Sequence, residues 1–181
     1  MRLVHLGLTA AFCAGLALPV AAASPAFDAF ARVCGDTHVD YSAIVNALDF
    51  KVWKPTPVTS ATMDGATVSD KVSRGATIGD TPLTLFAWKG TKGPYQFTAC
   101  TIRVSGGKLD AFTTEAQAWA GFAPQTAEAK KANFRFIQEG GARKAVEKAE
   151  YEAAAAGAGL EFLTVSQDGP DTILDLLKIK K

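Results

Sequence analysis

The chain has 181 residues, of which 48% are hydrophobic, and its 19 basic and 18 acidic residues give a formal net charge of +1. Proteins that bind nucleic acid need a strongly basic surface to neutralise phosphates, so this balance excludes nucleic acid as an expected partner. The length fits one domain of ordinary size, which can bury roughly 70% of the surface that its unfolded chain exposes.

The first residues have the pattern of a secretory signal peptide. A positive residue, Arg2, precedes an apolar run that ends at Pro19, and three alanines ending at Ala23 follow. A membrane-spanning helix needs about 20 apolar residues, and this run is shorter. We therefore expect residues 1–23 to be cleaved, residues 24–181 to form a single globular domain without a stable membrane anchor, and the location to be periplasmic or secreted.

The cysteines predict one disulfide. Cys13 lies in the predicted signal peptide, which leaves Cys34 and Cys100 in the mature chain. An even pair of cysteines in an oxidising compartment is typical of a disulfide bond. Two free thiols, a redox-active pair and cross-links to partner proteins are the alternatives.

Two short helices are predicted near the start of the mature chain. Residues 25–34 place apolar side chains at helical spacing, and the last of them is Cys34. Thr37 and Asp40 form a capping pattern before a second apolar stripe over residues 41–48. Cys34 should therefore lie at the end of the first helix and face the core.

The remaining chain contains both strand and helix patterns. An extended connector is predicted over residues 50–61, because Pro55 and Pro57 restrict the backbone there. Helices are predicted over residues 109–120, from a helical apolar stripe, and over residues 142–156, which are rich in Ala, Lys and Glu. Period-two alternation, β-branched residues and turn residues predict strands over residues 65–76, 83–89, 95–104, 133–138, 160–166 and 172–179.

These elements predict an α+β fold. The strands occur in hairpins and the helices in blocks, without strict alternation. We therefore expect an antiparallel or mixed sheet of about five to six strands, with helices, including the two at the N-terminus, packed on one of its faces. The disulfide would join the first helix to the strand that carries Cys100.

Few residues can support catalysis. His38 is the only histidine after residue 23, and a Cys/His nucleophile pair would have to combine it with Cys34. Asp36, His38 and Asp40 alternate and would share one side of an extended segment. A zinc site normally needs three or four ligands with supporting contacts, and the mature chain has no further histidine and no CxxC pair. We therefore expect no catalytic residue, no metal and no cofactor, and we interpret this segment as a solvated loop that caps a helix.

The aromatic side chains offer a possible binding surface. Trp88 lies on the opposite strand face from Leu83, Leu85 and Ala87, so it is either exposed or covered by another element. An exposed pair of Trp88 and Tyr95 would form a binding patch. Together with His38 and Asp36, these two residues are the candidate binding surface, although core packing is the more common role of such rings.

The segment after the signal peptide resembles the opening of small exported proteins of unknown function from alphaproteobacteria. The residues that carry the resemblance are Phe30, Cys34, Thr37, Asp40, Ala43, Ala47, Trp53 and Pro55. The resemblance implies a bacterial, exported protein and brings no assigned activity.

The sequence favours a non-enzymatic binding or interaction module of the cell envelope, whose partner is an unknown protein or small ligand. Two alternatives remain. One is a small hydrolase or thiol enzyme that uses Cys34 and His38, and the other is a carrier of a small ligand.

Overall fold

The computed structural model of the protein describes residues 23–58 and 65–181. The predicted signal peptide, apart from Ala23, lies outside these residues. None of the helices that they form is long and apolar enough to cross a membrane.

One antiparallel sheet of nine strands forms most of the structure. In chain order its strands are β1 (Lys54–Pro55), β2 (Thr67–Ile78), β3 (Thr81–Lys92), β4 (Tyr95–Val104), β5 (Thr126–Glu128), β6 (Lys131–Glu139), β7 (Ala142–Ala145), β8 (Leu160–Asp168) and β9 (Asp171–Lys180). Across the sheet the order is β1-β2-β3-β4-β9-β8-β6-β5, and β7 also pairs with β6. Strand β9 therefore lies between β4 and β8, and it joins the two halves of the sheet.

The alternation of side chains gives the sheet two different faces. Side chains of directly paired residues point to the same face. One face, which we call the core face, carries the buried Leu85, Cys100, Leu176 and Leu163 on four adjacent strands. The opposite face, which we call the open face, carries half-exposed side chains such as Trp88.

Three short helices and one π-helical turn lie near the core face. They are α1 (Pro25–Phe30), which continues into the π-helical turn Ala31–Gly35, α2 (Tyr41–Ala47) and α3 (Leu109–Ala120). Their buried side chains form one core cluster with those of the core face, because an amphipathic helix must cover its apolar stripe. A fourth helix, α4 (Tyr151–Ala156), follows the 3-10 turn Lys148–Glu150.

The predicted disulfide is present. Cys34 in the π-helical turn bonds to Cys100 in β4, with 5.6 Å between the two Cα atoms. Both residues are fully buried. The bond therefore fixes the N-terminal helices to the centre of the sheet.

The predicted capping box, with Thr37 as the N-cap and Asp40 as its partner three residues later, was wrong, although Asp40 does cap the helix. The side chain of Asp40 accepts a hydrogen bond from the backbone N–H of Ala43 at 2.8 Å, so Asp40 is the N-cap of α2. The hydroxyl of Thr37 instead donates to the carbonyl oxygens of Val33 and Cys34 at 2.8 and 3.0 Å. Thr37 therefore hydrogen-bonds to carbonyl groups near the end of the preceding π-helical turn.

The predicted α+β class was wrong, because the fold is mostly sheet. Nine antiparallel strands replace the expected five to six. The additional strands β1, β5 and β7 are two to four residues long, too short to produce a visible alternation. The helices also do not form a layer on one face, because Tyr151 of α4 packs on Phe162, which belongs to the open face.

The helix predicted over residues 142–156 was also wrong in its first half. Residues Ala142–Ala145 form β7 against the edge of β6, and only Tyr151–Ala156 are α-helical. The guanidinium of Arg143 lies 3.5 Å from the centre of the Trp119 ring and donates to the Trp119 carbonyl at 2.9 Å. Tertiary contacts and strand pairing therefore override the helix propensity of this segment.

Candidate functional site

The four residues predicted as a binding surface lie in two separate places. Trp88 and Tyr95 are half-buried on the open face, with Trp88 near the middle of β3 and Tyr95 at the start of β4, next to the hairpin turn. Phe97 lies between them, and its ring centre is 4.9 Å from that of Trp88. Asp36 and His38 instead belong to the turn between the π-helical turn and α2. The structure therefore does not unite the four residues in one patch.

The turn around His38 is held by a lysine from the sheet. His38 and Val39 have positive φ angles of 52° and 53°, which is uncommon for residues other than glycine. The amine of Lys178 donates to the His38 carbonyl at 3.2 Å and lies 3.2 Å from a carboxylate oxygen of the fully buried Glu161. That oxygen has no well-aligned hydrogen bond, so its contact with Lys178 is an ion pair.

The disulfide removes the chemistry of the predicted thiol site. The sulfur of Cys34 is bonded to Cys100 and supplies no nucleophile for His38 to activate. Among the described residues there is also no group of three or more His, Cys, Asp or Glu side chains placed to hold a metal ion.

A row of polar side chains crosses the open face at right angles to the strands. Register places Thr126 of β5 opposite Asn133 of β6, Asn133 opposite Thr164 of β8, Thr164 opposite Asp175 of β9, and Asp175 opposite Thr101 of β4. We call these five residues the polar row. Directly paired side chains point to the same face, so all five side chains lie along one line across the open face.

Hydrogen bonds connect most of the polar row. Thr101 donates to Asp175 at 2.6 Å. Thr164 donates to the side-chain oxygen of Asn133 at 3.1 Å, and the Asn133 amide donates to Thr126 at 2.8 Å. These bonds fix the orientations of the side chains before any ligand arrives, which lowers the entropy cost of binding.

A cavity of about 580 Å³ lies above the polar row. We call it the open-face cavity. Its volume falls within the roughly 300–1,000 Å³ that is typical of small-molecule sites. Its lining combines four residues of the polar row with aromatic, aliphatic and charged side chains: Thr126, Asn133, Thr164 and Asp175, with Tyr151, Phe162, Leu177, Glu128, Lys131, Arg135 and Lys148.

An aromatic pair forms one wall of the open-face cavity. The rings of Tyr151 and Phe162 meet edge to face, with 5.6 Å between their centres. The guanidinium of Arg135 lies 6.0 Å from the centre of the Tyr151 ring, on the β6 side. Helix α4 thus brings an aromatic side chain over the sheet, where it can contact an apolar surface of a ligand.

The carboxyl group of Asp175, in the lining of the cavity, has a raised pKa. Burial raises its pKa above the ordinary value of 3.8, although the hydrogen bond from Thr101 and the charge of Lys131 act in the opposite direction. A carboxyl group held in such a position is a strong hydrogen-bond acceptor when ionised and a donor when protonated.

Two further cavities lie near the predicted residues. One, of about 480 Å³, is bordered by His38, Lys89 and Lys178 at the end of the core face. The other, of about 260 Å³, is bordered by Tyr95 and Glu152, whose side chains share a hydrogen bond of 2.6 Å. Neither has a connected row of polar groups like that beneath the open-face cavity.

None of the five residues of the polar row was predicted as a site residue. Alternation within the predicted strands places Thr101 on the face opposite Cys100 and gives the same outward direction for Asn133, Thr164 and Asp175. Thr126 lies in β5, which was not predicted as a strand. Aligning the five residues requires the pairing of β4 with β9 and of β6 with β8, which join distant segments of the chain. Comparisons with known proteins do not supply the missing information, since no protein-family model, curated protein or solved structure matches the chain.

Proposed function

We propose that the protein is an exported, non-enzymatic binding protein that holds a small ligand in the open-face cavity. The observation that carries this proposal is the polar row, a preorganised line of hydrogen-bonding groups at the bottom of a cavity of ligand size. Export is supported by the signal-peptide pattern of residues 1–23 and by the disulfide between Cys34 and Cys100.

The rival thiol-enzyme hypothesis loses its support. It requires a reduced Cys34, and the structure has this sulfur in a buried disulfide. The turn that carries His38 is also separated from the open-face cavity by the sheet, because His38 contacts Lys178, a residue of the core face. A binding role therefore explains the geometry with fewer assumptions.

Native mass spectrometry of the mature protein, purified from an oxidising compartment, tests the proposal. We expect a small molecule to remain bound to residues 24–181 and to be released on denaturation. Thr164→Val removes one hydroxyl from the cavity at nearly constant volume and should reduce the bound fraction. Thr84→Val is the matched control, because Thr84 lies on the open face of β3, outside the cavity lining.

Two results would contradict the proposal. One is a mature protein that carries no small molecule and takes up none from an envelope extract. The other is an equal loss of ligand in Thr164→Val and Thr84→Val, since the open-face cavity would then not be the binding site.

A further inference from the structure

On the basis of the proposed function, we propose that the ligand of the open-face cavity is a saccharide, whose hydroxyl groups bond to the polar row while a sugar ring packs on Tyr151 and Phe162. Three properties of the cavity lead to this ligand class: the mixture of unused donors and acceptors, their spacing, and the balance of charge.

The polar row has unused hydrogen-bonding capacity of both kinds. Asp175 receives the Thr101 hydroxyl on one oxygen, and its second oxygen accepts no hydrogen bond from another described residue. The Asn133 amide uses one of its two N–H groups on Thr126. The Thr164 oxygen donates its hydrogen to Asn133 and keeps its acceptor sites. A hydroxyl group, which both donates and accepts, satisfies such an alternating set.

The spacing of the polar row suits a chain of rings. Its members come from five adjacent strands, and adjacent strands lie about 4.8 Å apart. This distance is close to the length of one pyranose ring. A saccharide lying across the strands would therefore meet a new polar side chain at about each successive ring.

The aromatic wall suits the apolar surface of a sugar. A pyranose ring has C–H groups on its flat faces and hydroxyl groups around its edge. Tyr151 and Phe162 present their rings beside the polar row, and Leu177 adds an aliphatic contact next to Phe162. An amphipathic ligand can thus bury its C–H faces on one side of the cavity and bond its hydroxyls on the other.

The charges around the cavity disfavour strongly charged ligands. Three cations, Lys131, Arg135 and Lys148, face two carboxyl groups, Glu128 and Asp175. A site for several phosphates would require a clear excess of cations around the bound group, whereas here the carboxyl groups of Glu128 and Asp175 offset two of the three cations. Neutral hydroxyl groups need no such excess, so the charge balance favours a saccharide over a nucleotide.

Isothermal titration calorimetry of the mature protein with neutral oligosaccharides tests the inference. The probes are cellohexaose, chitohexaose and maltohexaose, which present different linkages and substituents to the same cavity. We expect at least one to bind. Asn133→Ala and Thr164→Val should each weaken that binding by about ten-fold, which corresponds to the loss of roughly 1.4 kcal/mol.

Controls separate loss of binding from loss of folding. Thr84→Val should bind like the unmodified protein, because its hydroxyl lies outside the cavity lining. Circular dichroism must show unchanged unfolding midpoints for any variant that is compared. If Asn133→Ala does not fold, Thr126→Val tests the same row from the edge strand β5.

The outcomes also separate this inference from the proposed function. If none of the oligosaccharides binds and mass spectrometry identifies a bound molecule that is not a saccharide, the inference is overturned and the binding function stands. If no oligosaccharide binds and no small molecule is carried, both are overturned. Oligosaccharide binding that Thr164→Val and Asn133→Ala leave unchanged would also overturn the assignment to this cavity.

Discussion

Asp175 in the polar row has a carboxyl group whose charge is costly to the folded protein. Burial raises the pKa of this group above its ordinary value of 3.8. The folded state therefore binds its proton more tightly than the unfolded state does. The contribution of Asp175 to stability is complete below pH 3.8 and is lost as the pH rises through the higher pKa of the folded state.

Replacing the charge with a neutral group of the same shape should stabilise the protein near neutral pH. In Asp175→Asn the side-chain oxygen can still accept the hydrogen bond from Thr101, while the cost of burying a charge disappears. We expect a higher urea midpoint at pH 7, and we expect the advantage to shrink as the pH falls toward 4. Denaturation curves at pH 4, 5, 6 and 7 measure this difference.

The exposed Asp110 provides a control, since Asp110→Asn removes a carboxylate from the first turn of α3. Negative charge at that position stabilises a helix, so this variant should be slightly less stable at pH 7. A stability advantage of Asp175→Asn that does not depend on pH would contradict the raised pKa of Asp175.

His38 should be replaceable at little cost. Its side chain is exposed, and Lys178 bonds to its backbone carbonyl, which any residue supplies. The positive φ angle at position 38 is unfavourable for both histidine and alanine. We therefore expect His38→Ala to change the free energy of unfolding by less than about 1 kcal/mol. Ligand binding should not change. A loss of more than 2 kcal/mol, roughly beyond the range of exposed positions, would show that the imidazole has a structural role.

The disulfide partners were predictable from the sequence, because counting the cysteines was sufficient. Only two cysteines follow the predicted signal peptide, so the pair Cys34 and Cys100 needed no knowledge of the fold. The polar row was not predictable in this way. Thr101 and Asp175 meet because β4 pairs with β9, and nothing in either strand alone specifies its neighbour.

Among the elements, the π-helical turn and α3 approach each other closely at one glycine. A Cβ atom on Gly35 would lie 2.5 Å from an atom of the six-membered ring of Trp119. The Trp119 ring also contacts Arg143 on β7, which limits its movement. Glycine is therefore required here by lack of space, since its φ angle is not positive.

Gly35→Ala should therefore destabilise the protein by about 1–3 kcal/mol, the usual cost of overpacking a core. Urea denaturation of Gly35→Ala, Trp119→Phe and the double variant forms a mutant cycle. Phenylalanine lacks the atoms nearest the new Cβ, so the cost of Gly35→Ala should be smaller in the Trp119→Phe background. Strictly additive effects would contradict direct contact between the two positions.

The sequence predicted the long strands and missed the short ones. The hairpin that became β3 and β4, the final hairpin of β8 and β9, and helix α3 all carry a clear apolar period and flanking turn residues. Residues 142–145 have helix-forming side chains and nevertheless form β7, because the edge of β6 accepts hydrogen bonds there and Arg143 packs on Trp119. Such contacts depend on the completed sheet and leave no local signal.

At the scale of the whole molecule, the disulfide is the main covalent constraint. Cys34 and Cys100 are 66 positions apart in the sequence, and their bond closes a loop that includes α2 and strands β1 to β3. Closing a loop of this length removes chain entropy from the unfolded state that is worth roughly 4 kcal/mol in the simple loop-entropy treatment.

Loss of this loop-entropy contribution should lower the unfolding free energy of the double variant Cys34→Ala/Cys100→Ala by about 4 kcal/mol, and its smaller side chains should lower it further. The urea midpoint of the unmodified protein should fall with a reductant, whereas that of the double variant should not respond. Equal stability of the oxidised protein and the double variant would contradict a stabilising role for the bond.

The fold class was the least predictable feature at this scale. Six strands were recognisable from alternation, and the sheet gains three more from segments of two to four residues. These segments become strands because their neighbours β2 and β6 have free edges. Their recruitment changes an expected mixture of helix and sheet into a fold that is mostly sheet.

The central position of β9 has a consequence for damaged or shortened chains. Most proteins tolerate trimming at a terminus, but here the segment Asp171–Lys180 hydrogen-bonds to a strand on each side. A protease cut or premature stop before Asp171 would leave β4 and β8 with bare rows of amide and carbonyl groups. Such rows recruit strands from other molecules, so truncated chains should accumulate as insoluble aggregates instead of smaller folded domains.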